Sequence, residues 1–193
     1  MKKAKQLTAL LLALVLTFAL AGCGKDKKSS DSDSASADEN LVNVEITIPS
    51  DFLDEESKEE ATEEAKEEGI ECTVNEDGSL TYKMSKAKHK ELLKEFASDF
   101  DEDANELINE GTSSIKELTH NKDFTEITAK VSSADYLQNI DDSLLTYVYL
   151  LYGGFYQIFS GVPAEEANTV CKIIDIDTGE EIETISLQEL LSE

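Results

Sequence analysis

The acidic segment 99–110 has the residue types of a calcium loop. Oxygen-bearing side chains occupy the first, third, fifth, seventh and last positions of this segment, which is the ligand spacing of an EF-hand. They are Asp99, Asp101, Asp103, Asn105 and Glu110. However, Ala104 stands where the bend of the loop requires glycine. In a continuous helix, moreover, alternate residues point about 200° apart, so we interpret the segment as an acidic helix and assign no metal site to it.

Cys72 and Cys171 allow two interpretations. In an oxidising compartment they could be joined by a disulfide, and closing a loop of about 100 residues would stabilise the fold by roughly 4–5 kcal/mol. Alternatively, each is a small apolar residue on a strand, which is the usual role of a buried cysteine. The sequence leaves both alternatives open.

The two histidines do not form a recognisable catalytic centre. His89 is expected among lysines on an exposed helix face, and His120 at a hairpin turn. No Ser or Cys lies in a nucleophile motif, and the sequence has no Cys-x-x-Cys, His-x-x-Glu or glycine-rich phosphate loop. We predict that the chain is not an enzyme and uses no cofactor. Because carboxylates are abundant, a carboxylate-based hydrolase is the minor alternative.

Two further acidic stretches have structural interpretations. Asp175, Asp177 and Gly179 have the spacing of half a calcium loop, but Asp and Gly also suit a tight hairpin turn, which is the interpretation we adopt. The run 51–68 contains ten acidic residues and two lysines. Such a run is typical of a solvated helix face, with a docking site for a basic partner as the alternative.

The stretch 144–159 is largely apolar and carries four tyrosines and a glycine pair. It is shorter than the roughly 20 residues that a membrane span requires, so it favours a buried core helix. The alternative is an aromatic-lined pocket or partner groove, because tyrosine offers both stacking area and a hydroxyl group. The residues that would form this binding surface are Tyr147, Tyr152 and Tyr156.

The amino terminus has the features of an export signal. Three lysines within residues 1–5 precede an uncharged, largely apolar run from Leu7 to Ala21, which is too short for a spanning helix. The run ends in Leu-Ala-Gly-Cys, which resembles the lipobox of bacterial lipoproteins. We therefore predict a signal peptide over residues 1–22 and a lipid on Cys23. The lipid would anchor the chain to the extracytoplasmic face of the cell membrane.

The mature chain divides into a linker and one domain. Residues 23–40 are rich in Ser and Asp and poor in apolar residues, which predicts a flexible linker. Residues 41–193 are numerous enough for a single domain with a core. Without residues 1–22 the chain has 14 lysines, no arginine and 42 acidic residues, a formal charge of −28. This charge excludes nucleic acid as a partner, because phosphate contacts require cations.

Hydrophobic periodicity predicts an α+β domain, with antiparallel β-hairpins covered on one face by three helices. Apolar residues alternate over 42–48, which predicts a strand. Helix starts are marked by a capping box at Ser57, by Ser85 and by Ser133, and the helix that opens at Ser133 is predicted to continue to Phe159. The predicted order is β-α-ββ-α-ββ-α-ββ. Its three hairpins are 70–84, 115–131 and 170–186.

Part of this region also resembles a known group of proteins. Thr-Val-Asn-Glu-Asp-Gly-Ser at 73–79, running into Tyr-x-Met-x-Lys-Ala-Lys-His-Lys-Glu at 82–91, is similar to small extracytoplasmic lipoproteins of clostridial bacteria. The similarity extends from about Val42 to Ile185. It implies a shared fold and a surface location, and it implies no activity.

These observations predict a membrane-anchored, non-enzymatic module that binds a protein or a small-molecule ligand. The alternative is a structural envelope protein that associates with itself. The sequence does not identify the ligand, the partner or the oligomeric state.

Overall fold

The computed structural model describes residues 43–192. In this part of the chain, two β-sheets pack with five α-helices, so the predicted α+β class is confirmed. The predicted signal peptide 1–22 and the linker 23–40, with Cys23, lie outside the described residues.

The first sheet consists of β1 (Asn43–Ile48), β2 (Glu71–Val74) and β3 (Leu80–Ser85). Its strands are antiparallel, and β3 lies between β1 and β2. Successive side chains of a strand point to opposite faces, and those on the inner face are apolar. The buried ones are Ile46, Ile48, Leu80, Tyr82 and Met84. In β1 and β3, the alternation that predicts the strand therefore also identifies its buried face.

A 3-10 helix (Ser50–Phe52) and helix α1 (Glu55–Glu67) connect the first two strands. The predicted capping box at Ser57 is wrong, because the side chain of Asp54 caps this helix by accepting the N–H of Ser57 at 2.8 Å. The helix buries small residues against the sheet and exposes most of its glutamates. The acidic run is thus largely a solvated helix face, as predicted.

The second sheet consists of β4 (Ile115–His120), β5 (Glu126–Val131), β6 (Val170–Asp175) and β7 (Glu181–Ser186), paired in that order. β4 and β7 pair antiparallel with their neighbours, as hairpins do. β5 and β6, however, are parallel, which corrects the expectation of antiparallel hairpins alone. The connection between these two strands contains helices, and a helical crossover returns the chain in the same direction.

The remaining helices are α2 (Lys86–Glu110), α3 (Ser133–Tyr136), α4 (Ile140–Phe159) and α5 (Leu187–Leu190). The predicted single third helix is divided into α3 and α4. The division occurs at Asn139, which caps α4 by accepting the N–H of Asp141 at 3.1 Å. A cap requires a non-helical backbone, and this explains why the helix cannot continue through this position.

Helix α4 occupies the centre of the molecule. It contacts β1 of the first sheet, β5 and β6 of the second sheet, and helices α2, α3 and α5. Its inner face meets a cluster of aromatic rings around Phe100, which is fully buried; the ring centroids of Tyr149 and Tyr152 lie 5.4 and 5.3 Å from that of Phe100. Both sheets and three helices contact α4, so only the side of α4 that meets none of these elements is left exposed to solvent.

Candidate functional site

One side of α4 is apolar and uncovered over the first half of the helix. Ile140, Leu144, Tyr147 and Leu151 lie within about 60° of one another around the helix axis, because spacings of three and four residues return to the same side. Ile140 is 76 % exposed and Leu144 is 54 % exposed, while Tyr147 and Leu151 are half-buried. Leu137, in the turn before the helix, is 71 % exposed. We call these five residues the α4 stripe.

The second half of the same side is covered. Gly154 and Ile158 continue the line of the stripe, and Phe52, Leu187 and Leu191 pack over them. The space left between these side chains is a cavity of about 20 Å³, which is room for about one water molecule. This volume is far below the roughly 300 Å³ of a typical ligand pocket.

The structure separates the three tyrosines that were expected to form one binding surface. Tyr152 is buried, and its hydroxyl donates a hydrogen bond of 2.6 Å to the carbonyl oxygen of Phe96. Burial also raises the pKa of Tyr152. Tyr156 packs on the ring of Phe124, with 4.3 Å between the ring centroids. Only Tyr147 lies on the α4 stripe, so Tyr152 and Tyr156 are core and packing residues.

Asp142 fixes the first turn of α4. This carboxylate is only 1 % exposed. Its Oδ1 accepts the hydroxyl of Ser113 at 2.6 Å, and its Oδ2 accepts the N–H of Ser114 and the side-chain amide of Asn139, both at 2.9 Å. Burial alone raises the pKa of Asp142, but these hydrogen bonds outweigh burial and hold the pKa below its ordinary value. The charge therefore joins α4 to the segment that precedes β4.

A buried hydrogen-bond network fixes the other end of α4. The Nε2 of Gln157 donates to the carbonyl oxygens of Phe124 and Asn168 at 3.1 and 3.0 Å. The hydroxyl of Thr169 donates to the same Phe124 oxygen at 2.9 Å. These bonds hold Phe124 at a φ of 53°, which is uncommon for a bulky residue. Gly153 lies against Thr169 at this point, where a Cβ would come within 2.4 Å of the threonine hydroxyl.

The two cysteines of the domain are not bridged. Cys72 is half-buried in β2, and Cys171 is fully buried in β6 of the other sheet; both thiols are free. Burial raises the pKa of the Cys171 thiol to about 12 and also raises that of Cys72. In the structure, each cysteine is an apolar residue on a strand, which is the second of the two alternatives. Because burial raises the pKa of both thiols, neither is activated as a nucleophile.

The acidic candidates for metal binding do not form a site. Asp99, Asp101, Asp103 and Glu110 all lie on the continuous helix α2, where their spacing distributes them around the axis. Within residues 43–192, no group of three His, Cys, Asp or Glu side chains is arranged to hold a metal ion. Asp175 serves a hairpin turn instead: its Oδ1 accepts the backbone N–H groups of residues 177 and 178 at 2.9 and 2.8 Å.

Both histidines make structural contacts. His89 is half-buried, and its Nε2 donates to the carbonyl oxygen of Phe159 at 2.6 Å, so its predicted place on an exposed face is wrong. His120 is the last residue of β4 and stacks on Phe124 at 3.7 Å between ring centroids. Its Nε2 lies 3.4 Å from the carboxylate of Asp101. Neither histidine is hydrogen-bonded to a serine or cysteine side chain in the described part, as a nucleophile–base pair would require.

The sequence around the α4 stripe is acidic. Residues 131–171 contain five acidic residues and no lysine. One of them is the buried Asp142, and the exposed ones are Asp135, Asp141, Glu165 and Glu166. Asp135 and Asp141 are close in sequence to the exposed end of the stripe, and Glu165 and Glu166 follow Ala164, which lines the cavity at the covered end. We call these four exposed residues the acidic rim.

Comparison with protein families, with curated proteins and with solved structures found no match. Of the helices in the described residues, none combines the length and the apolar character that crossing a membrane requires. The exposed apolar side chains of the α4 stripe and the acidic rim are the features that a binding partner could contact.

Proposed function

We propose that this chain is a lipid-anchored extracytoplasmic lipoprotein that binds a protein partner through the α4 stripe and has no enzymatic activity. The observation that carries the proposal is the exposure of Leu137, Ile140 and Leu144 at 71 %, 76 % and 54 %. Single exposed apolar residues are common on soluble proteins, but a contiguous group is typical of an interaction site.

The anchoring part of the proposal is supported by the sequence before the domain. An apolar run ends directly at Leu20-Ala21-Gly22-Cys23, and the resemblance to clostridial lipoproteins implies the same surface location. The linker that follows would span roughly 20–25 Å on average. Such a linker would let the domain reach partners close to the membrane surface.

The geometry favours binding over catalysis. Two of the buried polar side chains, Asp142 and Gln157, are hydrogen-bonded to the segments that they hold together. The histidines and the free cysteines also have structural surroundings. Polar groups that are satisfied in this way stabilise a fold, whereas an active site requires groups that face a substrate.

A photo-crosslinking amino acid at position 144, introduced in the native host, tests the proposal. We expect a covalent adduct with one protein, because Leu144 is at the centre of the stripe. The second change Ile140→Asp should abolish the adduct and, as an exposed substitution, should alter stability by only about 0.5 kcal/mol.

The matched control is the same amino acid at Val74, which is 52 % exposed on β2 of the first sheet. No adduct at position 144, or the same adducts at both positions, would contradict binding through the α4 stripe.

A further inference from the structure

We infer that the occupant of the α4 stripe is a basic amphipathic helix, an inference that rests on the binding role proposed above. Its apolar side would pack along Ile140, Leu144, Tyr147 and Leu151, and lysine or arginine residues beside that side would meet the acidic rim. The inference follows from the shape of the stripe, from the charges around it and from the exclusion of other occupants.

The shape of the stripe suits a helix. From Ile140 to Leu151 the stripe is about 17 Å long, which is three turns at about 1.5 Å per residue. It is the convex surface of a helix, and the adjoining cavity of about 20 Å³ has no room for a side chain. A second helix can pack on such a surface through its own residues at spacings of three and four, as helices do in protein interiors.

The charges around the stripe select a basic partner. The acidic rim consists of four exposed carboxylates, and the only lysine between residue 131 and the carboxyl terminus is Lys172. The Nζ of Lys172 is already paired with Glu126 at 2.6 Å. Lys116 is held near the first turn of α4, where its Nζ donates to the carbonyl oxygen of Ser113 at 2.9 Å, but the four carboxylates of the rim outnumber it. An acidic helix would therefore be repelled by the acidic rim, while a basic one would be attracted and steered towards it.

A second copy of this chain fits the stripe poorly. A symmetric dimer brings the same patch of both copies together, so the acidic rim of one copy would approach the acidic rim of the other. Each mature chain also has a formal charge of −28. This repulsion would oppose association through so small an apolar surface.

Two other occupants are also disfavoured. The mature linker has only Ala35 and Ala37 as apolar residues between positions 25 and 40, so it has no apolar side to offer. Anionic lipid headgroups attract basic protein segments, whereas the acidic rim is negatively charged and is repelled by them. Neither the chain's own linker nor a lipid surface complements the stripe as a basic helix does.

The test uses residues 23–193 with Cys23→Ser, which retain every described residue and need no detergent. Two synthetic helical peptides of about 14 residues carry the same leucine side, flanked in one peptide by lysine and in the other by glutamate. Binding is measured by fluorescence anisotropy at low and at high salt. We expect the lysine peptide to bind at least tenfold more tightly at low salt, with most of this preference lost at high salt because salt screens exposed charges.

A charge reversal identifies the site of binding. Asp135→Lys with Asp141→Lys should weaken the lysine peptide and strengthen the glutamate peptide, each severalfold. The control, Glu76→Lys with Glu110→Lys, makes the same change in net charge at exposed positions elsewhere, and it should leave the preference largely unchanged. Leu144→Asp should reduce binding of both peptides.

Equal binding of the two peptides, equal effects of the two charge reversals, or binding of neither peptide would overturn the inference. Stripe-dependent dimerisation in analytical ultracentrifugation would also overturn it, in favour of a second copy as the occupant. If crosslinking at position 144 succeeds while the adduct is insensitive to Asp135→Lys and Asp141→Lys, the proposed function stands and only the basic character of the partner is rejected.

Discussion

Replacing Asp142 with alanine is expected to lower the free energy of unfolding by about 3–5 kcal/mol. The carboxylate is 1 % exposed and accepts three hydrogen bonds, from Ser113, Ser114 and Asn139. Without it, the donors of Ser113 and Ser114 are left in a buried site, and each unsatisfied buried group is costly. Chemical denaturation followed by circular dichroism measures the change. Asp141→Ala is the matched control, because Asp141 is the exposed neighbour on the same helical turn, and it should cost much less.

The same carboxylate should make stability depend on pH in a defined direction. Its pKa in the folded protein lies below the ordinary value, so its contribution is present above the unfolded pKa of about 4 and is lost as the pH falls through the folded value. The stability difference between the native chain and Asp142→Asn should therefore shrink as the pH falls below about 4. A difference that stays constant from pH 7 to pH 3 would show that the charge of Asp142 does not stabilise the fold.

Gly153→Ala is expected to destabilise the protein by about 3 kcal/mol. A Cβ at this position would lie 2.4 Å from the hydroxyl oxygen of Thr169, 2.7 Å from its methyl carbon and 3.0 Å from the carbonyl oxygen of Phe124. These atoms belong to the network that fixes the end of α4, so they cannot move aside without breaking its hydrogen bonds. The midpoint of thermal or chemical unfolding measures the effect.

Gly154→Ala provides the comparison for this prediction. Its Cβ would also approach another atom at 2.4 Å, but that atom is the terminal Cδ2 of Leu187, a flexible side chain on the short helix α5. Both substitutions gain the same helix propensity of about 1 kcal/mol. The difference between the two variants in the free energy of unfolding therefore reports how much more the contact with Thr169 costs than the contact with Leu187. If both variants were equally stable, the rigidity assigned to the Thr169 contact would be wrong.

Most of the fold could be predicted from local patterns. Alternating apolar residues predict β1, β2, β3 and β5, and Ser85 caps the long α2 as the sequence indicates. The parallel pairing of β5 with β6 could not be predicted, because strand direction depends on where the intervening helices pack. The break at Asn139 was missed because the apolar pattern continues across it, while the side chain of Asn139 caps a new helix.

The candidate site could be predicted only in part. The stretch 144–159 is apolar on all sides, so the sequence indicates that something must cover it but does not show which side is left open. The chemistry of tyrosine favours Tyr147, Tyr152 and Tyr156 as binding residues, whereas Tyr152 lies in the core and the exposed residues are the aliphatic Ile140 and Leu144. The role of Asp142 was also hidden, because acidic residues are common in the first turn of helices and its partners Ser113 and Ser114 are distant in sequence.

The anchor and the α4 stripe together define the proposed role. A lipid on Cys23 would confine the domain to a layer near the membrane, where its local concentration towards other membrane-associated proteins is high. Weak contacts on a stripe of five residues can then be sufficient for a specific interaction. Without a lipid on Cys23, the anchor that the sequence indicates would not hold the domain at the membrane. The local concentration of the α4 stripe near membrane-associated proteins would then not be raised.

Mass spectrometry of the amino-terminal peptide of the protein, isolated from its native host, tests the anchoring most directly. We expect a peptide that begins at Cys23 and carries diacylglycerol on the thiol, found in the membrane fraction. A peptide that begins at Met1, or a mature protein with an unmodified Cys23 thiol that washes off membranes without detergent, would contradict the proposed function.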